Sequence, residues 1–137
     1  EQETGTDQVD AGGVITAISA SVLSGDFDIT QKRAAQGQLL GSPDIRGDGE
    51  YLMKIRRFLP DFISQTGDTK ITLFLRDYPN SSTASSPLGP FTITSSTDKV
   101  DTRARARAIA LKIENTSTSQ NWKLGTFRLD IQPDGRR

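Results

Sequence analysis

Thr102 to Glu114 reads TRARARAIALKIE. Along a strand, side chains alternate between faces, so the stretch divides into two rows. One row is Arg103, Arg105, Arg107, Ile109, Leu111 and Ile113; the other is Ala104, Ala106, Ala108, Ala110, Lys112 and Glu114. Neither row is apolar from end to end, and three guanidinium groups cannot enter a core without partners. One solution is a β-bulge near Ala108–Ile109 that shifts the register by one. The first alanines and then Ile109, Leu111 and Ile113 point inward, and Arg103, Arg105 and Arg107 point outward. The alternative is an unbroken strand of ~40 Å whose arginine half overhangs the core. The bulge is preferred because it lets every position agree with one core. A helix is the rival: alanine and arginine favour it, but arginine at every second position is scattered around a helix and no 3.6-residue apolar stripe is present.

Downstream, Asn115 to Asn121 is polar and reads as a hairpin loop. Trp122 and Leu124 then share one parity, while Phe127, Leu129 and Ile131 share the other. Gly125 stands at the switch, where a glycine bulge restores a common inward face. Upstream, TKITLFLR at 69–76 is the clearest strand, with Ile71, Leu73 and Leu75 inward and Thr72, Phe74 and Arg76 outward. Further strands are expected at Val14–Leu23, Phe27–Ile29, Glu50–Arg57 and Phe91–Thr94, with turns at 24–26, 65–68 and 95–98. Residues 30–49 hold glycines and a proline and read as an irregular excursion, with a short helical turn at 31–36. The sum is an all-β domain: an antiparallel β-sandwich of about seven strands, of jelly-roll type or, as the second option, a flattened barrel. Residues 1–13 form a polar entering arm, and 14–137 a single domain.

Composition narrows the chemistry. The 137 residues carry 17 Lys and Arg against 17 Asp and Glu, so no bulk attraction to nucleic acid or membrane is expected. No apolar run is long enough to span a bilayer. The chain has no histidine and no cysteine. Imidazole bases, Ser-His and Cys-His pairs and most transition-metal sites are therefore excluded. No catalytic residues, cofactor or metal site are assigned, and an enzyme is not expected. The first residue is Glu1 rather than Met, which fits a piece of something longer.

Several short patterns have plain structural explanations. Arg46-Gly47-Asp48 matches an adhesion tripeptide, but Gly-Asp-Gly is also good turn chemistry. Asp44, Asp48 and Glu50, or Asp26 and Asp28, lack the spacing of a calcium loop. Glu114 and Asp130 fit cross-strand pairing with Lys112, Arg128 or the arginine row. Trp122, beside Lys123, is a candidate stacking platform for a sugar or base, though a core tryptophan closing one end of a sandwich explains it better. The arginine row is explained by a solvated face with cross-strand ion pairs, by a protein–protein contact, or by sequence-independent phosphate contact.

Taken together, several blocks resemble the C-terminal region of virion structural proteins of short-tailed bacteriophages, the tail hub or nozzle-like and DNA-stabilisation-like proteins. The blocks are Glu3–Asp7, Ser24–Ile29, Asp48-Gly49-Glu50 through Arg56-Arg57 and Pro60-Asp61, and Leu75–Pro79. The most specific are Arg103–Glu114, Trp122–Ile131 and Pro133–Arg137. In order they span nearly the whole chain, with residues 30–46 reading as an insertion. The resemblance implies a non-enzymatic, ring-forming tail domain, made in the bacterial cytoplasm and residing in the virion. Its implied partners are copies of itself and other tail or neck proteins, with non-specific contact to genomic DNA also compatible. Rings use heterologous interfaces; Arg103, Arg105, Arg107 and Arg128 are the candidates for one patch, and Asp44, Asp48 and Glu50 for the other. A carbohydrate- or receptor-binding module using Trp122, Tyr51 or Tyr78 is the alternative function.

Overall fold

The computed structural model of the chain describes residues 7–26, 28, 51–78 and 87–136. Those residues form eleven strands and no helix. In chain order they are β1 (Asp7–Val9), β2 (Ile15–Ala17), β3 (Ala20–Leu23), β4 (Tyr51–Leu59), β5 (Phe62–Thr66) and β6 (Thr69–Arg76). They continue with β7 (Leu88–Ile93), β8 (Val100–Ala106), β9 (Ala108–Asn115), β10 (Asn121–Leu124) and β11 (Arg128–Arg136). A three-stranded sheet, β11-β4-β8, faces a four-stranded sheet, β3-β9-β6-β7. The remaining strands form two ribbons, β1-β2 and β10-β5. Every pairing is antiparallel and no sheet closes into a barrel. The two facing layers thus contain seven strands, and the ribbons add four. With no helix at all, the described residues hold none long and apolar enough to cross a membrane.

The decisive stretch is extended, and its inward parity does slip by one. Ala104 and Ala106 are buried while Arg103 and Arg105 are exposed; beyond the half-buried Arg107, Ile109, Leu111 and Ile113 are buried. The cause is not a bulge inside one strand. β8 belongs to the three-stranded sheet and β9 to the four-stranded one, so the chain turns a corner at Arg107 from one layer to the other. Sheet-switching corners reset which side is inside. The Arg107 N–H donates to the Arg76 carbonyl at 3.0 Å, fixing the corner.

A second corner lies at Gly125, where the sequence places its other parity switch. Residues 51–66 run antiparallel to 121–136 as one long ribbon, β4 against β11 and β5 against β10. The ribbon bends between Pro60-Asp61 and Gly125. There the Gly125 N–H donates to the Asp61 carbonyl at 2.7 Å, and a Cβ on Gly125 would lie 2.8 Å from that same oxygen. Only a hydrogen side chain allows so close an approach. Trp122, Leu124, Phe127, Leu129 and Ile131 all reach the core despite their opposed parities.

Two local expectations are revised, and two details are added. Val14–Leu23 is two strands, not one: β2 pairs with β1, whereas β3 pairs with β9. Between them the Asn115 side chain takes over from ladder bonding, its Nδ2 donating to the Ile18 carbonyl at 3.1 Å. The turns at 65–68 and 116–120 are not hairpins, since β5 and β6, like β9 and β10, lie in different sheets. Thr72 keeps its outward parity, opposite Lys112, but is buried there. In β4, the register shifts between Ile55 and Arg57, and Phe58 joins Met53 and Ile55 inside while Lys54 and Arg56 stay exposed. The strand at Phe27–Ile29 and the helical turn at 31–36 lie outside the described residues.

The core between the layers comprises Met53, Ile55 and Phe58 from β4, Ala104 and Ala106 from β8, and Ile71, Leu73, Ile93, Ile109, Leu111 and Ile113 opposite. Phe58 anchors it, with its ring 5.4 Å from Phe91 edge-on and 5.5 Å from Phe127 stacked. Each such large side chain contributes roughly 1.5–3 kcal/mol of apolar burial. Ala108 and Ala110, on the outer face of β9, are buried as well, because Arg76 and Phe74 stand directly opposite and cover them.

Candidate functional site: a cationic sheet face

The outer face of the three-stranded sheet is where the arginine row emerges. β4 is its middle strand, so β4 side chains lie between those of β8 and β11. Lys54 stands directly opposite Arg105, and Arg57 opposite both Asp101 and Asp130. Like charges opposite one another are destabilising, and two ion-pair systems relieve that strain. Arg105 reaches across β4 to β11, where its Nε lies 2.6 Å from Asp134 Oδ2 and its Nη2 donates to the Asp134 carbonyl at 3.2 Å. Arg57 Nε sits 3.6 Å from both Asp101 Oδ1 and Asp130 Oδ2. That distance makes these ion pairs rather than hydrogen bonds. Lys99 adds a contact to Asp101 at 3.8 Å.

The arginine row therefore divides. Arg105 is internally paired. Arg103 is exposed and has no carboxylate partner among the described residues, nor do Lys54 and Arg56. With Arg57, Asp101 and Thr102 these three line a shallow concavity of about 860 Å³. Arg107 belongs elsewhere: it is half-buried at the corner, its guanidinium 6.0 Å from the Tyr78 ring centroid. Arg128 is exposed at the start of β11 and lines a separate open cleft of about 410 Å³ beside the β4–β5 bend. Asp44, Asp48 and Glu50, the expected acidic counterpart, lie outside the described residues.

Sequence reasoning missed the contribution of Lys54, Arg56 and Arg57. The signal was present in Lys54-Ile55-Arg56-Arg57, where cations flank a buried isoleucine. What could not be seen was that this strand would lie beside Arg103 and Arg105.

Trp122 is half-buried. Its ring packs edge-on against Phe62 at 6.3 Å, and its Nε1 donates to Asn115 Oδ1 at 3.1 Å. The indole is thus engaged internally on one face and at its only donor. Glu114 pairs with Lys112 at 2.6 Å along its own strand rather than across to a neighbour, whereas Asp130 pairs across strands with Arg57. No group of three or more Asp or Glu residues among the described residues is arranged to hold a metal ion. The chemistry this face offers is recognition of anionic groups by guanidinium and ammonium donors. No protein-family model matches the chain, and no curated protein matches it either.

Proposed function

We propose that the chain is a non-enzymatic structural domain of a bacteriophage tail component, joining copies of itself and neighbouring tail proteins in the virion. One observation carries the proposal: a basic excess is gathered on one sheet face of a chain with no net charge. The outer face of β11-β4-β8 presents Lys54, Arg56, Arg57, Arg103, Arg105 and Arg128 against Asp101, Asp130 and Asp134. Cations there outnumber carboxylates by three, and because 17 basic and 17 acidic residues balance overall, the rest of the chain carries an acidic excess of three. A basic face of this kind fits a heterologous contact with a different, acidic patch of a neighbouring molecule, the kind of contact from which rings are built. The resemblance of the blocks between Glu3 and Arg137 to short-tailed phage structural proteins supports the same reading.

Arg103→Glu is the direct test. Arg103 is exposed and unpaired among the described residues, so reversing it leaves the internal network of Arg57 and Arg105 intact. Surface substitutions of this kind change stability by about 0.5 kcal/mol or less. The variant is expected to keep its circular dichroism and melting temperature while losing the assembled species in light scattering. Assemblies of unchanged mass would overturn the proposal.

A further inference from the structure

The cationic face owes its density to one irregularity in β4. Arg57 stands opposite Asp130 on one side and Asp101 on the other, and Ile55 opposite Ile131 and Ala104. Asp130 and Ile131 are consecutive, so Arg56 has no counterpart on β11; on β8 it falls beside Thr102 and Arg103. Arg56 is thus the extra residue of a β-bulge, a feature that re-aims side chains. Ile55 and Phe58 are fully buried, while Arg56 is exposed and Arg57 meets Asp101 and Asp130 on the outer face. In a regular strand one of two consecutive residues points into the core; here both arginines point away from it.

The charge gathered this way is only partly answered within the chain. Asp101 and Asp130 hold Arg57, and Asp134 holds Arg105. Lys54, Arg56 and Arg103 are exposed, have no carboxylate partner among the described residues, and line one concavity. Lys54 and Arg56 are two residues apart along β4, a separation of ~6.6 Å, and Arg103 lies on the next strand, ~4.8 Å across. Lys54 also stands opposite Arg105, and like charges so placed repel one another. A carboxylate brought among these cations relieves that repulsion.

From this we infer that Lys54, Arg56 and Arg103 take an extended acidic segment of a neighbouring protein chain, with Asp or Glu on alternate residues. The inference rests on the assembly reading of this face and names the chemistry that meets it. An extended segment repeats its like-facing side chains every ~6.6 Å, the spacing of Lys54 and Arg56. One carboxylate then meets Lys54, and the next but one lies between Arg56 and Arg103, which grip it from two strands by charge-assisted hydrogen bonds. A nucleic-acid backbone suits the face less well. Asp101, Asp130 and Asp134 interrupt it, the concavity has no aromatic ring on which a base could stack, and the chain has no net charge to draw a polyanion.

The test uses labelled, end-capped peptides of equal charge in a Ser-Gly context, containing Asp-Thr-Asp, Asp-Asp or Asp-Thr-Thr-Thr-Asp. Each is titrated at trace concentration with the chain at low salt and followed by fluorescence anisotropy. The Asp-Thr-Asp peptide should bind several-fold more tightly than the other two. Arg56→Gln and Arg103→Gln should each weaken it about tenfold or more, as expected for one lost charge-assisted contact. Arg128→Gln, in the separate cleft, should not. Unchanged melting temperatures check that the exposed substitutions leave the fold intact. No binding at low salt, equal binding of the three peptides, or binding indifferent to Arg56→Gln and Arg103→Gln would overturn the inference. So would tighter binding of a thymidine trinucleotide, whose two phosphodiesters carry the same charge. If Arg103→Glu abolishes assembly while the peptides are not distinguished, this inference alone fails. If the Asp-Thr-Asp peptide is selected but Arg103→Glu assembles normally, the assembly proposal fails and the recognition of alternate carboxylates stands.

Discussion

Gly125→Ala tests the bend that joins the two halves of the long ribbon. The added Cβ would sit 2.8 Å from the Asp61 carbonyl oxygen and 3.3 Å from Ile63 Cγ1. Relaxed carbon–oxygen contacts are about 3.3 Å or longer, so the two backbones must part by roughly half an ångström. The same oxygen accepts the 2.7 Å bond from the Gly125 N–H, so retreat weakens the link that pins the corner. Overpacking strain of this kind costs about 1–3 kcal/mol, and the weakened hydrogen bond adds up to about 1 kcal/mol. A small gain from the lower entropy of the unfolded alanine chain, about 0.4–1 kcal/mol, offsets part of this. The net expectation is a loss of about 1–3 kcal/mol, a fall in melting temperature of roughly 5–10 °C for a domain of this size. Thermal and urea unfolding followed by circular dichroism measure it. Gly25→Ala is the control, since nothing lies within 4 Å of a Cβ there, and it should change stability by no more than about 0.5 kcal/mol. If the two variants unfold together, the Asp61–Gly125 contact does not hold the bend and the account of the parity switch is wrong.

Two further outcomes follow from the hydrogen-bond and charge networks. Asn115 is 3% exposed and joins three segments, accepting from Trp122 Nε1 and the Ala20 N–H and donating to the Ile18 carbonyl; Asn115→Ala should cost about 2–3 kcal/mol by leaving these groups unpaired. Because Trp122 is the only tryptophan, its emission should shift to the red in the same variant, and unshifted emission with wild-type stability would show that this hub is dispensable. For Arg105 and Asp134, whose side chains are 47% and 39% exposed, solvent screening reduces the pair to about 0.2–1 kcal/mol in a double-mutant cycle. That coupling should shrink as salt rises, while a cycle between Arg103 and Asp134 should give none; equal coupling in both cycles would contradict the division of the arginine row.

Local physics made much of this legible. Alternation in TRARARAIALKIE, with the impossibility of burying three unpaired arginines, required an extended strand, an inward row of alanines and a slip in parity before Ile109. The opposed parities of Trp122 and Phe127 likewise singled out Gly125. Where alternation failed as a guide, a long-range partner had intervened. Asn115 splits the Val14–Leu23 run by bonding to Ile18 and Ala20. Phe74 and Arg76 cover alanines that stand outside the core. A register shift at Arg57 turns Phe58 inward. None of these is written in the neighbouring residues.

Taken alone, the amino-acid order determined that the chain is built from strands, that Arg103 and Arg105 stand on an accessible surface, and where the two parity switches fall. Those are consequences of side-chain alternation and of the cost of burying charge, both of which act over a few residues. Which strands become neighbours depends on contacts distant in the chain, and only the tertiary structure decided it. It made the Arg107 switch a corner between layers and the Gly125 switch a bend in the long ribbon, set β4 between β8 and β11 so that Lys54 and Arg56 join Arg103, and let Arg105 reach Asp134.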